Sequence, residues 1–135
     1  MNVVMIDSGQ LAGDPDFPEI NLPKFGWSQF VALPVEEIDE RCWRADIIIS
    51  TRTPVSASVI KESFKLKLIL AAGDKTDHID IAAANERGII VCNVPGLIAD
   101  NVKDSQIIAN QVIDNIHAWL DDKPVNVIDY PLKTD

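Results

Sequence analysis

The chain has 135 residues, 47% of them hydrophobic, with 12 Lys and Arg against 21 Asp and Glu, a formal net charge of −9 and a sequence pI of about 4.5. That is enough apolar material for one compact domain with its own core. The charge repels a phosphate backbone or an anionic membrane surface, which argues against nucleic-acid and membrane roles, and no apolar run approaches the roughly 20 residues that span a bilayer.

Met1-Asn2-Val3-Val4-Met5-Ile6-Asp7 has no basic stretch ahead of its short apolar run. It reads as a first strand, over residues 3–6, and not as a signal peptide. Residues 8–26 contain Gly13, Pro15, Pro18 and Pro23, which forbid a long helix, so a loop with at most a short helix is expected. Residues 27–33 mix Ser28 and Gln29 with Phe30 and Val31, as an edge strand does. Residues 35–45 space Ile38, Cys42 and Ala45 as a helix, with Pro34 in the first turn. A strand follows at 47–49. Residues 57–64 then place Val59, Ile60 and Phe64 on one helical side, capped by Ser56.

The next strand is expected at 66–70. A helix over 78–87 carries Ile79, Ala82 and Ala83, with Asp77 as its cap and Gly88 as its terminator. Residues 89–91 form the fifth strand. From Asn101 to Leu120 no Gly or Pro intervenes, and Val102, Ile108, Ala109, Val112, Ile113, Ile116, Trp119 and Leu120 form an apolar stripe. Asn101 and Asp104 suit the start of a helix there, and twenty residues make it roughly 30 Å long. Strands buried on both faces and alternating with helices predict an α/β fold. The natural arrangement is a flavodoxin-like, doubly wound, five-stranded parallel sheet of order 2-1-3-4-5 with right-handed crossovers and a long C-terminal helix.

Ligands of open parallel sheets bind at the carboxyl ends of the strands. The residues that follow the strands are Asp7 and Ser8, then Thr51, Arg52 and Thr53, then Gly73, Asp74, Lys75 and Thr76, then Asn93. Arg52 and Lys75 are the cations of this rim and could hold a small anion. Equally, such ends are polar in any α/β domain because they meet solvent. No G-x-G-x-x-G run, P-loop or receiver-type acidic pair exists. Asp7-Ser8-Gly9-Gln10 is too short and too acidic for a flavodoxin-type phosphate loop. His78 and His117 form no triad and no metal-ligand spacing. Cys42 and Cys92 read as reduced, buried thiols, which implies a cytoplasmic location.

Several stretches carry a resemblance that spans nearly the whole chain. They are Ala45-Asp46-Ile47-Ile48-Ile49-Ser50 with Thr53-Pro54-Val55, Leu66-Lys67-Leu68-Ile69, and Asp77-His78-Ile79-Asp80 running into Ala82-Ala83-Ala84-Asn85-Glu86-Arg87-Gly88-Ile89. Asn93-Val94-Pro95-Gly96 and Lys123-Pro124-Val125-Asn126-Val127 complete it. Together they resemble the D-isomer-specific 2-hydroxyacid dehydrogenases, the glycerate dehydrogenase (hydroxypyruvate reductase) branch most of all.

In that family a nicotinamide-binding domain lies between the two pieces that here join directly. The resemblance therefore implies a single substrate-domain unit, residues 1–96 plus a returning segment 101–135. NAD serves the full-length family, and no cofactor is expected in this chain. The family's substrate domain faces the cleft with two loops. One carries a basic residue before Thr-Pro, here Arg52. The other reads Gly-x-Gly and grips the substrate carboxylate through backbone amides. Here it reads Gly73-Asp74-Lys75, so a lysine stands at the second glycine.

The family's catalytic Arg, Glu and His have no counterparts here, so no catalytic residue is assigned and no activity is expected from the chain alone. Two functions follow from the resemblance: a stand-alone homologue binding a small carboxylate or other anion, or one subunit of a split NAD-dependent dehydrogenase completed by a separate cofactor-domain chain. The width of the apolar stripe on the last helix further predicts a homodimer whose interface includes residues from 97–120.

Overall fold

The computed structural model describes residues 1–128, and the end of the returning segment, 129–135, lies outside the described residues. The elements are β1 (Asn2–Met5), a single 3-10 turn (Ser8–Gln10), β2 (Gly26–Gln29), α1 (Val35–Cys42), β3 (Ile47–Ser50), α2 (Ala57–Glu62), β4 (Leu68–Ala71), α3 (Ile81–Glu86), β5 (Ile90–Cys92) and α4 (Val102–Leu120). The five strands form one parallel sheet in the order β2-β1-β3-β4-β5. Order and direction are those the sequence predicts.

The pleat sorts each apolar run between two cores. Val4, Ile48, Ile69 and Val91 point to one face and meet Ile38 and Cys42 of α1, Val59 and Ile60 of α2 and Ala84 of α3. Val3, Met5, Ile47, Ile49, Leu68, Leu70 and Cys92 point to the other and meet Ile108, Val112, Ile113 and Ile116 of α4. Three short helices thus cover one face. The long helix covers the other, together with Leu11 and Ile20 of the irregular β1–β2 crossover. That crossover is fastened along α4. Gln106 accepts from the Asp16 amide at 3.0 Å and donates to the Asp16 carbonyl at 2.7 Å. His117 Nε2 accepts from the Asn21 amide at 2.9 Å, which gives that histidine a structural task.

Several local expectations are corrected. α3 starts at Ile81, not 78, and its cap is Asp80, whose Oδ1 accepts from the Ala83 amide at 3.0 Å; Asp77 lies outside it. The reason is a turn closed by the Ile79 amide on the Thr76 carbonyl, followed by a bridge between Val55 and Ile79, which keeps 77–79 out of the helix. Phe64 lies beyond the end of α2 and is exposed, stacked against Trp43 at 5.8 Å. β2 stops at Gln29 because the carbonyls of Phe30 and Val31 accept from the turn after β1. The stripe on α4 mostly faces the protein's own sheet: Ile108, Val112, Ile113 and Ile116 are buried and Trp119 packs on the same core, while Val102 and Ile107 are exposed. The apolar surface from which a homodimer was expected is therefore largely covered within one chain. Among the described residues no helix is long and apolar enough to cross a membrane.

The chain after α4 returns to the far sheet edge. Residue 127 bridges antiparallel to Cys92, the Asn93 amide donates to the Asn126 carbonyl at 3.1 Å and the Ile128 amide to the Val91 carbonyl at 2.7 Å.

Candidate functional site

Asp7 organises the carboxyl ends of the strands. It is 1% exposed, at the end of β1, beside the point where strand order reverses between β1 and β3. Its Oδ1 accepts from the Thr51 amide and its Oδ2 from the amides of Arg52 and Thr53, each at 2.8 Å. A nest of consecutive amides of this kind attracts an anion, and here the protein supplies the anion itself. The loop after β3 is thereby fixed, and Ser50 Oγ donates to the Thr53 carbonyl at 2.6 Å to close it.

The loop after β4 is fixed differently. Gly73 has φ +144, a conformation that side chains disfavour. Its carbonyl accepts from the Val94 amide, and the Asp74 amide donates to the Leu97 carbonyl at 2.8 Å. Asp74 Oδ1 accepts from the Gly96 amide at 2.8 Å. Positive φ among the described non-glycine residues is confined to Asp14, Asp122 and Asn126. Lys75 therefore sits in ordinary backbone, and its replacement of a family glycine carries no strain there.

Between these loops lies a cleft of about 330 Å³. Of the eight residues expected to bind a ligand, Thr51, Arg52, Gly73, Asp74 and Lys75 line it. Thr53, Thr76 and Asn93 do not. Asn93 is buried: its side chain donates to the Asp74 carbonyl at 2.9 Å, and its own carbonyl accepts from Asn115 of α4 at 2.9 Å. It braces the β4 loop from behind. The rest of the cleft comes from Ala72, Asp77, His78 and the junction segment 97–100. From the sequence, His78 has neither triad nor metal-ligand spacing, and its place in the cleft is not visible there. In the turn before the Val55–Ile79 bridge, its Nε2 lies 3.3 Å from the Ser50 carbonyl. Residues 97–100 gave no signal beyond their position at the join.

The charges of the cleft are partly spent. Arg52 pairs with Asp100 at 2.5 Å and also reaches the carbonyl and side chain of Gln10. Lys75 has no ion-pair partner among the described residues. Thr51, on the cleft wall, is 6% exposed and its hydroxyl has no partner among the described residues.

A dinucleotide does not fit the ends of β1 and β3. The amides of residues 8–11 donate to backbone carbonyls and those of 51–53 to Asp7. None of these is left for a pyrophosphate at the switch point, and a buried carboxylate stands there. No group of His, Cys, Asp or Glu among the described residues is placed to hold a metal ion. Cys42 and Cys92 are buried free thiols. Burial, aided by Asp39, pushes Cys42 up to about 12, and burial pushes Cys92 up to about 11. Arg87 donates to the carbonyls of Ile60, of Ser63 and of Phe64 at and just past the end of α2.

Comparison with known proteins agrees with this architecture. The model of the family described as D-isomer specific 2-hydroxyacid dehydrogenase, catalytic domain, matches residues 10–128. A Haemophilus influenzae protein named "Putative 2-hydroxyacid dehydrogenase" is 29% identical over 98% of this chain and 45% of its own length. The glycerate dehydrogenase of Methylorubrum extorquens is 36% identical over 68% of this chain and 29% of its own. Among solved structures, the NAD+-bound 3-phosphoglycerate dehydrogenase of Entamoeba histolytica superposes with a TM-score of 0.58 at 27% identity, covering 71% of this chain and 33% of that one. The chain spans less than half the length of the relatives it matches.

Proposed function

We propose that this chain, which belongs to the D-isomer-specific 2-hydroxyacid dehydrogenase family, is a stand-alone form of that family's substrate domain that binds a small carboxylate and catalyses no hydride transfer by itself. The observation that carries the reading is the cleft at the ends of β3 and β4, where Arg52 and Lys75 line the same space. A 2-hydroxy or 2-oxo acid offers its carboxylate to the two cations.

Hydride transfer needs a nicotinamide held against the substrate in a cleft that excludes water. The amides of residues 8–11 and 51–53, at the ends of β1 and β3, are all taken within the chain. In place of a second domain, the junction residues Leu97, Ile98, Ala99 and Asp100 line the cleft. This wall supports a binding module over a subunit that a separate cofactor-domain chain completes, because such a chain would have to displace it.

Titration calorimetry with D-glycerate tests the binding. Wild type is expected to bind, and Arg52→Ala with Lys75→Ala together to weaken it at least about tenfold. Binding unchanged by the double substitution would remove this site. Following the reduced-nicotinamide band with D-glycerate or hydroxypyruvate tests the second half. Turnover above a boiled control would overturn it.

A further inference from the structure

We propose that Asp100 is a built-in competitor that occupies the anion seat of Arg52, so that Arg52 is withheld until a ligand carboxylate displaces Asp100. The proposal deepens the carboxylate-binding reading and rests on it for the identity of the displacing group. Its geometry stands on its own.

Arg52 Nη2 donates to Asp100 Oδ1 at 2.5 Å. Both residues line the same cleft. A carboxylate from the chain therefore already sits where a carboxylate from a ligand would be received. Asp100 does not arrive there by chance motion of a long side chain, because its backbone is fixed on both sides. On one side the Leu97 carbonyl accepts from the Asp74 amide at 2.8 Å and the Ala99 carbonyl from the Ala12 amide at 3.3 Å. On the other, Asn101 caps α4 by accepting from the Asp104 amide at 2.8 Å and donates to the Asp104 carboxylate at 3.0 Å. Arg52 is held from below by its own amide on Asp7. The junction thus ties the loops after β1, β3 and β4 together over the cleft.

The latch is weak enough to open. The Arg52 side chain is 46% exposed and that of Asp100 68%, and ion pairs so exposed contribute little in water. Lys75, with no ion-pair partner among the described residues, gives an incoming anion its first contact. The ligand then exchanges for Asp100 on Arg52. Two penalties oppose it: loss of the internal pair, and repulsion from the Asp100 carboxylate that remains nearby. Removing the charge of Asp100 removes both, which corresponds to about a tenfold gain in affinity.

Phenylglyoxal modification followed by peptide mapping reads the latch without any ligand, since it reports how free the Arg52 guanidinium is. Arg44, exposed just after α1 with its guanidinium 4.6 Å from the centroid of the Trp43 ring, is the internal reference. Asp100→Asn is expected to raise the Arg52 rate several-fold relative to Arg44, and Asp100→Glu to restore the slow rate. In parallel, D-glycerate is titrated into wild type and Asp100→Asn, with about tenfold tighter binding expected for the variant. Equal Arg52 rates in wild type and Asp100→Asn overturn the latch, whatever glycerate does. A faster rate with glycerate bound equally by both proteins overturns the competition. A faster rate with glycerate bound by neither leaves the latch standing and overturns the carboxylate reading.

Discussion

Replacing Asp7 tests how the cleft is built. Its carboxylate accepts three amide hydrogens at 2.8 Å from residues 51, 52 and 53, and it is almost wholly buried. A hydrogen bond to a charged acceptor contributes ~1.5–3 kcal/mol, and a buried donor left unpaired costs ~1–3 kcal/mol. Asp7→Ala strands all three amides at once, and water entering the space relieves some of the loss. The expected destabilisation is about 4–5 kcal/mol, a large share of the ~5–15 kcal/mol typical of a domain. For a chain of this size that lowers Tm by roughly 10–15 °C.

Asp7→Asn is milder. Its carbonyl oxygen can keep the two amides now on Oδ2, while its NH2 group meets the Thr51 amide donor to donor. About 2 kcal/mol is expected. Urea unfolding followed by fluorescence of Trp27, Trp43 and Trp119 measures both, with the slope on denaturant checked for constancy. A loss below ~1 kcal/mol for Asp7→Ala, or equal losses for the two variants, would refute the reasoning.

Four further outcomes are expected. Neither Cys42 nor Cys92 should react with a thiol reagent at pH 8 in the native protein, and both should react in urea, because burial holds their pKa values at about 12 and about 11 against an ordinary 9.0. The same shifts set a pH dependence. Above pH 9 the unfolded chain sheds thiol protons that the folded chain retains, so stability should fall between about pH 9 and 11 by ~1.4 kcal/mol per pH unit per thiol, with no thiol contribution at lower pH. Asn115→Ala should cost about 2–4 kcal/mol by urea titration, because this wholly buried amide donates to the Asn93 carbonyl and accepts from Gln111 and Asn126. Ile113→Ala should cost about 2–5 kcal/mol by the same assay through the cavity it leaves between α4 and the sheet, and a loss within error would mean that α4 is not packed there.

The sheet was legible in the sequence because each buried strand is a short run of Ile, Leu and Val bounded by turn residues. Ile47-Ile48-Ile49 and Leu68-Ile69-Leu70 can only be satisfied by burial on both faces, which implies parallel strands with helices above and below. The long helix was legible too, since nothing between Asn101 and Leu120 interrupts it and Asn101 caps it as its side chain suggests. What the stripe on that helix packs against was not legible. Periodicity shows that one face is apolar but not which surface covers it, and here the chain's own sheet and the Phe17 to Phe25 region of the crossover do so.

The site divides in the same way. The order of the strands and the rule that ligands meet their carboxyl ends were enough to bring Thr51, Arg52, Gly73, Asp74 and Lys75 to one rim. The partners of those residues depend on side chains 44 to 48 positions apart in sequence, such as Asp7 with Thr51 and Arg52 with Asp100. No local pattern encodes such pairings. Asp7 looked like a rim acid and is instead the buried keystone of the β3 loop. Asn93 looked like a ligand contact and is a brace. His78 was expected to begin a helix and instead lies in a turn that lines the cleft. Sequence fixes periodicity and local turn chemistry because those are set by neighbours along the chain. Only the folded structure decides which charges are already paired, because that depends on which distant loops the sheet brings side by side.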